Sequence, residues 1–151
     1  MIDKKMSYHF LLSEMTRTEN RKFLEANRVV PEDLYQNGVA LCNKLLEPIR
    51  IHFGRPLIVH SAYRGIALNK AIGGSKTSQH CKFEACDFHI VGVPLKEIFD
   101  WIRKDSGLRF SQVIMEMGSW IHIALPTLKV NMQVLNWNGK QYTKIPHQAN
   151  V

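Results

Sequence analysis

The sequence predicts a single α+β domain whose mostly antiparallel sheet carries helices on one face and a groove on the other. Several short runs rich in β-branched residues alternate with two longer segments that have helical apolar spacing. In the strand-like runs polar and apolar residues alternate, which is typical of a sheet with one buried and one open face. The 151 residues amount to one domain, and we take residues 1–151 as that domain.

Two segments are predicted to be the core helices. Residues 31–53 begin with Pro-Glu-Asp, which suits a helix start, and then repeat apolar residues at helical spacing. We expect Pro48 to kink this helix near its end and Gly54 to end it. Residues 94–105 form the second amphipathic helix, and residues 66–72 a shorter one.

Six runs are predicted to be strands, and the last four of them form two hairpins. They span residues 57–63, 85–91, 112–116, 120–124, 132–137 and 141–145. Residues 112–116 and 120–124 are expected to pair across the tight connection at Met117-Gly118-Ser119. Asn138-Gly139 lies between the last two runs and is a strong hairpin signal.

The formal net charge of +7 favours a polyanionic partner, which leaves nucleic acid, an acidic membrane or an anionic cell wall. The basic residues are scattered and no aromatic-and-basic motif is present, so we expect no nucleic-acid partner. No run approaches the roughly 18 apolar residues of a membrane span. The first residues lack the apolar core of a secretory signal, so we expect synthesis in the cytoplasm. We also expect a monomer.

Two short segments carry the residues of a candidate metal centre. His80 and Asp87 lie seven positions apart, and Glu116 precedes His122 by six positions. Two histidines and one aspartate are a ligand set that suits a catalytic zinc whose fourth position stays open for water. A nearby glutamate is the proton acceptor that such a water needs. These residues lead to the hypothesis of a zinc hydrolase.

The three cysteines leave one alternative open. Their odd number argues against a disulfide framework. Cys42 lies in a helical apolar pattern and is expected to be a core residue. Cys81 is next to His80, so a structural zinc site with cysteine and histidine ligands remains an alternative, although no Cys-x-x-Cys pair is present.

Strand alternation assigns the candidate residues to faces of the sheet, because residues two apart in a strand share a face. If Asp87 lies on the groove face, His89 lies there too, and Cys86 points into the core. If His122 lies on that face, so does Trp120. We therefore expect His89 and Trp120 to contact the substrate, although His89 could instead orient a metal ligand by a hydrogen bond.

A series of residues spread over most of the chain resembles one protein family. The matching residues are Ser61-Ala62-Tyr63-Arg64, Asn69, Gly73-Gly74, Ser78-Gln79-His80, Ala85, Asp87, Glu116 and Trp120-Ile121-His122. They resemble the M15 family of zinc peptidases, and within it the D-alanyl-D-alanine carboxypeptidase-like members found in bacteria and their phages. That family shares its fold with lysostaphin-type endopeptidases and with the hedgehog signalling domain.

The resemblance implies roles for individual residues. Zinc would be bound by His80, Asp87 and His122. Arg64 resembles the family arginine that holds a carboxylate of the peptide substrate, a task that suits its planar fork. Ser78 and Gln79 match the residues before the first histidine and would shape the ligand loop or contact substrate.

Two positions depart from the family pattern. Phe83 stands where the family has glycine, three residues after the first histidine, so we expect this loop to differ locally. Ser119 stands where several relatives have the catalytic acid, and a hydroxyl is not basic near neutral pH. In other relatives the acid lies six residues before the last histidine, which is the position of Glu116. Glu116 is therefore the predicted catalytic base, with His89 as the alternative.

The resemblance also implies an activity and a substrate. It implies a zinc-dependent peptidase, either a carboxypeptidase or an endopeptidase, that cleaves peptidoglycan peptides within the anionic cell wall. We expect a phage or prophage lysis enzyme that acts on the wall after release from the cytoplasm, or one that is carried in the virion. The alternative is a virion or tail component that binds zinc without catalysis. Loss of both Glu116 and Arg64 would favour that alternative, and both residues are present.

Overall fold

The sheet has six strands, and a computed structural model of the chain describes them within residues 3–146. The strands are β1 (Leu57–Ser61), β2 (Ala85–Ile90), β3 (Gln112–Glu116), β4 (Trp120–Ala124), β5 (Gln133–Trp137) and β6 (Tyr142–Lys144). Their spatial order is β1-β2-β4-β3-β5-β6. Every neighbouring pair is antiparallel except β3 and β5, which are parallel. The predicted mostly antiparallel α+β fold is confirmed, and the parallel pair is a feature that the sequence patterns did not indicate.

Six α-helices accompany the strands in the described part of the chain. They are α1 (Leu12–Met15), α2 (Leu24–Asn27), α3 (Glu32–Leu41), α4 (Glu47–Phe53), α5 (Ile66–Ala71) and α6 (Leu95–Lys104). None of the helices within residues 3–146 is long and apolar enough to cross a membrane.

The long helix predicted over residues 31–53 is confirmed, and it is distorted in the turn that precedes Pro48. A π-helical turn, Cys42–Leu46, joins α3 to α4, so that the three segments run without a break. Pro48 has no N–H to donate to the preceding turn and its ring needs room there, which the wider turn provides. Gly54 ends the helix with a φ of 63°, as expected for a left-handed C-terminal residue.

The long helix and α6 cover one face of the sheet, as predicted. Their buried side chains belong to the same apolar cluster as the core-facing residues of β2 and β4, such as Phe88 and Ile121. Helix α6 contacts β2, β3 and β4 directly. Cys42 and Cys86 are free thiols inside this cluster, so the prediction that both are core residues is confirmed.

The N-terminal segment is tied to the long helix by one carboxylate. Glu47 accepts a hydrogen bond from the Ser7 hydroxyl at 2.7 Å, and its other oxygen lies 2.7 Å from Nδ1 of His9. Burial alone would raise the pKa of Glu47, but these bonds lower it below its ordinary value, so the carboxylate stays ionised. Met6, which precedes Ser7 in the chain, is buried in the core.

The turn after the first candidate ligand is packed against α3 through Phe83. Its φ is 61°, in the left-handed region, and its side chain is fully buried. Glycine adopts this conformation freely, whereas for other residues it costs roughly 1–2 kcal/mol. The Phe83 ring lies beside Gly38 of α3, where an added Cβ would be 2.7 Å from the ring carbons. Gly38 therefore makes room for the phenylalanine that occupies the turn.

We expect Gly38→Ala to destabilise the protein by about 1–3 kcal/mol, because the new Cβ overpacks against the Phe83 ring. In an unhindered helix interior the same change would stabilise by roughly 1 kcal/mol, so the sign of the effect tests the contact. Denaturant unfolding measures it, and a Gly38→Ala/Phe83→Leu double variant should recover part of the loss. A Gly38→Ala protein as stable as the wild type would contradict the tight fit.

Candidate metal centre and cleft

Asp87 and His122 lie opposite each other on neighbouring strands. The antiparallel register of β2 and β4 pairs Asp87 with His122 and Phe88 with Ile121. Residues directly opposite in such a pair share a face of the sheet. Phe88 and Ile121 are fully buried in the core, whereas Asp87 and His122 line a cleft on the other face. The alternation predicted for both strands is confirmed.

The third residue, His80, completes a compact group of donor atoms. Its Nε2 lies 3.3 Å from Oδ2 of Asp87, while Nδ1 of His122 lies 2.8 Å from Oδ1 of the same carboxylate. One potential ligand atom from each of the three side chains lies within 4.8 Å of the others. In the described part of the chain Cys81 is not a member of this group.

The position of His80 is set by its backbone turn and by a carbonyl oxygen. His80 lies in a 3₁₀ turn, Gln79–Lys82, and Ser78 accepts a hydrogen bond from its backbone N–H at 3.2 Å. The ring is buried, with Nδ1 2.7 Å from the carbonyl oxygen of Ala62. Because a carbonyl can only accept, Nδ1 carries the proton and Nε2 keeps a free lone pair. This second contact orients the ring in the way that metal-binding histidines are commonly held.

The electrostatics of the group favour the protonation states that bind a cation. Burial lowers the pKa of His80 below its ordinary value, which keeps the imidazole neutral. Burial alone would raise the pKa of Asp87, but His80 and His122 hold it well below its usual range. Two neutral imidazole nitrogens and one carboxylate oxygen are donors that zinc accepts. The residues therefore fit a zinc ion.

Glu116 lies in the same cleft, whose volume is about 1210 Å³. It is the last residue of β3, directly opposite Trp120, and the next pair on this face is Ile114 with His122. Glu116 is thus two residues along β3 from the residue that pairs with His122. Burial raises the pKa of Glu116, and His122 partly opposes that shift. A carboxylate with a raised pKa is a stronger proton acceptor than an ordinary glutamate.

Residues 8–124 match the sequence model of the family described as Peptidase M15. The chain belongs to the Peptidase M15 family. No match was found among the curated proteins. Members of this family are in general zinc peptidases, and the matched stretch contains the three donor residues, Glu116 and Arg64. Membership of this family therefore indicates a metallopeptidase.

In this M15 domain Arg64 reaches the cleft beside the first histidine. Its backbone N–H donates to the carbonyl oxygen of His80 at 3.0 Å, and its Nη2 lies 3.5 Å from the Ser78 hydroxyl. An added Cβ on Gly74 would lie 3.1 Å from Nη1 of Arg64 and 2.1 Å from Oδ1 of Asn69, so this glycine is needed for the close packing. The buried Nε of Arg64 has no protein partner among the described residues.

The side chain of Gln79 connects the first histidine's turn to the segments beside β3 and β4. Its Nε2 donates to the carbonyl oxygen of Leu125 at 3.1 Å, and its Oε1 accepts from the Ser111 hydroxyl at 2.9 Å. Both ends of the amide are therefore occupied by the segments that flank β3 and β4. These bonds favour the predicted role of Gln79 in shaping the ligand loop, and its contact with substrate stays a prediction.

His89 and Trp120, both predicted to contact substrate, have different surroundings. Trp120 lines the cleft with Glu116. Nδ1 of His89 lies 2.7 Å from Nε2 of His60, and His89 is not among the described residues that line the cleft. The His60 ring also lies 5.6 Å from the Trp120 ring, between centroids. The role of His89 in substrate binding therefore stays a prediction, with His60 as its direct neighbour.

Part of the cleft wall comes from residues that the sequence patterns did not single out. The loop at Pro126–Val130 and Tyr142 of β6 both line the cleft, and both follow the end of the M15 match. The Thr127 hydroxyl shapes the loop by donating to the Val130 carbonyl at 2.9 Å and accepting the Val130 N–H at 2.8 Å. The hairpin itself was predicted, but its place beside β3 depends on a parallel pairing that leaves no local signal.

Proposed function

We propose that this M15 protein is a zinc peptidase that cleaves peptide bonds of peptidoglycan. The observation that carries the proposal is the grouping of His80, Asp87 and His122 with Glu116 in one cleft. Zinc, when bound by the three donors, acidifies water and polarises a peptide carbonyl. The basic net charge of +7 supports an anionic setting such as the cell wall.

The residues around the candidate metal centre would transfer the proton, bind the substrate and position the metal donors. Glu116 accepts the proton of the attacking water and can return it to the leaving amine, since the same carboxyl serves as base and then as acid. Arg64 binds a carboxylate of the substrate and so fixes which peptide bond reaches the donors. The hydrogen bond from His80 to Ala62 and the bonds of Gln79 hold the donors in place before substrate arrives.

We expect Arg64→Ala to weaken substrate binding by about 2–5 kcal/mol, because a charge-assisted contact made before chemistry is lost. The effect should be seen as a raised KM on a stem-peptide substrate, with a much smaller change in kcat. Arg64→Lys should recover little, because an ammonium group cannot make the paired contact of a guanidinium. Arg109, which lies outside the cleft lining, offers a matched charge control as Arg109→Ala. An unchanged KM in Arg64→Ala would assign the arginine another task.

The experiment that tests the proposal is digestion of purified peptidoglycan by the zinc-loaded protein, with and without a chelator. Mass analysis of the released fragments should identify one class of cleaved peptide bond and so distinguish carboxypeptidase from endopeptidase action. Fragments that are unaffected by the chelator would contradict the proposal. A protein that binds zinc and cell walls but releases no fragment would instead favour a zinc-binding virion or tail component.

The setting that we propose is lysis of a bacterial wall by a phage or prophage enzyme, which acts after release from the cytoplasm or from the virion. The resemblance to family members found in bacteria and their phages supports this setting, and so does the basic charge. Binding to intact walls should weaken as salt screens the charge. Wall binding that is insensitive to salt would remove the charge argument.

A further inference from the structure

The cleft has two ends, which come from opposite edges of the sheet. Arg64 follows β1 at one edge, and Tyr142 lies on β6 at the other. The donors Asp87 and His122 lie on β2 and β4 between them, and all four residues line the same cleft. A substrate whose carboxylate is bound by Arg64 must therefore continue past the donors towards Tyr142.

An aromatic pair forms the Tyr142 end. The register places Glu116 beside Trp137 of β5 and Trp137 beside Tyr142, so the three residues form one row across the groove face. The ring centroids of Trp137 and Tyr142 are 4.5 Å apart, and Tyr142 is 55% exposed. Burial and the charge of Glu116 both raise the pKa of the Tyr142 phenol, which keeps its hydroxyl protonated. The pair thus offers an open ring face with a neutral hydroxyl at its edge.

The distance across the sheet gives the length of substrate between the two points. Three strand spacings of roughly 4.8 Å separate β4, which carries His122, from β6, and the row of Tyr142 lies two residues, or about 7 Å, along β4 from His122. The two points are therefore about 16 Å apart. An extended peptide covers about 13–14 Å in four residues. A peptide bond held at the donors would therefore place a group four to five residues upstream over Tyr142.

We propose that Tyr142, supported by Trp137, is a specificity residue that binds the sugar to which a peptidoglycan stem peptide is attached. This inference rests on the proposed function. A sugar ring has an apolar face of C–H groups and hydroxyls at its rim, which matches an aromatic face with a hydroxyl at its edge. Stem peptides consist mainly of small and charged residues, whose side chains offer little apolar area to pack on an aromatic ring. The hairpin that supplies both rings lies outside residues 8–124, so the match to the family model does not itself assign this contact.

The test compares two substrates, the free stem pentapeptide and the same peptide attached to its N-acetylglucosamine–N-acetylmuramic acid disaccharide. The wild type should prefer the disaccharide form, and Tyr142→Ala should lower the ratio of the two kcat/KM values by about tenfold. Tyr142→Phe should keep most of the preference, because the ring remains. Tyr8→Ala removes another exposed tyrosine and should leave the ratio at its wild-type value. Equal losses on both substrates, or no loss, would overturn the proposal.

A binding measurement keeps this inference separate from the proposed function. Calorimetric titration of chelator-treated protein with the disaccharide alone needs neither zinc nor turnover. Binding that is lost in Tyr142→Ala and kept in Tyr142→Phe supports the sugar site even if no peptide is cleaved. Disaccharide binding that does not depend on Tyr142, or no binding beside an active peptidase, overturns it.

Discussion

Replacing Glu116 with glutamine should lower kcat at least about a hundredfold while the fold and the zinc content stay unchanged. Glutamine has the shape of glutamate but cannot accept a proton, so the change removes the base and little else. Glu116 lies in the cleft opposite Trp120 and one pair away from His122. Among the described residues it does not belong to the group of three candidate metal donors, which is why zinc should be retained.

The pH profile provides a second measurement of the same role. Glu116 must be ionised to accept a proton, so kcat should fall on the acid side as its carboxyl becomes protonated. Because burial raises its pKa, this fall should occur at a higher pH than the value of about 4.3 for an ordinary glutamate. The residual activity of Glu116→Gln should lack that acid limb.

Two other candidates for the base have a weaker structural case. Ser119 is exposed in the β3–β4 turn, where its backbone N–H donates to the Glu116 carbonyl, and a hydroxyl is not basic at neutral pH. His89 has its Nδ1 bound to His60 at 2.7 Å. Near-normal turnover by a zinc-loaded Glu116→Gln protein would contradict the assignment, and His89→Ala would then be the next variant to measure.

The strands and the two main helices could be predicted because each carries its own local pattern. β3 and β4 have the predicted bounds, since alternation and the turn between them are local properties. The long helix was predicted from apolar spacing and from Gly54 at its end. Its π-helical turn was not, because only an expected kink at Pro48 can be inferred from a proline.

In the candidate site too, some residues could be predicted from the sequence and others could not. Side-chain type and spacing indicated His80, Asp87, His122 and Glu116 before any geometry was known. The contact that orients His80 could not be predicted. Its partner is the backbone carbonyl of Ala62, which the type of side chain at that position does not indicate. Tyr142 was missed for a related reason: it reaches the cleft through the parallel pairing of β3 and β5, which joins segments that are distant in the sequence.

The packing of Phe83 depends on a residue that is distant in the sequence. A phenylalanine at a position that the family fills with glycine suggested a locally different loop. The backbone at Phe83 nevertheless has the left-handed φ that glycine favours. The compensating feature is Gly38, which lies 45 positions earlier and leaves space for the ring. A close fit of this kind between two distant positions is visible only in three dimensions.

Removal of one metal donor should abolish zinc binding and activity together. In Asp87→Asn the two histidines would lose the one charged donor, and zinc affinity should fall more than about a hundredfold, since even partners outside the donor set commonly contribute 10–100-fold. Asp87→Asn is nearly isosteric, so the fold has the best chance of surviving. His80→Ala should have the same effect on zinc but also leaves a cavity at a buried ring.

The measurement is zinc content per chain after dialysis, together with the thermal midpoint with and without added zinc. Ligand binding to the folded state stabilises it, by about 2.7 kcal/mol at a free zinc concentration one hundred times Kd. The wild type should show this increase, and Asp87→Asn should not. His52→Ala changes a histidine that stacks on Trp101, away from the donors, and should keep the full increase.

Acid should remove the metal from the wild type as well, because both histidines must be neutral to donate a lone pair. Burial lowers the pKa of His80, so this histidine should stay competent to a lower pH than an ordinary one. Zinc occupancy should therefore fall as the pH decreases, with His80 protonated below its usual range. Stoichiometric zinc in both Asp87→Asn and His80→Ala would place the metal elsewhere in the chain and would remove the basis for the peptidase mechanism.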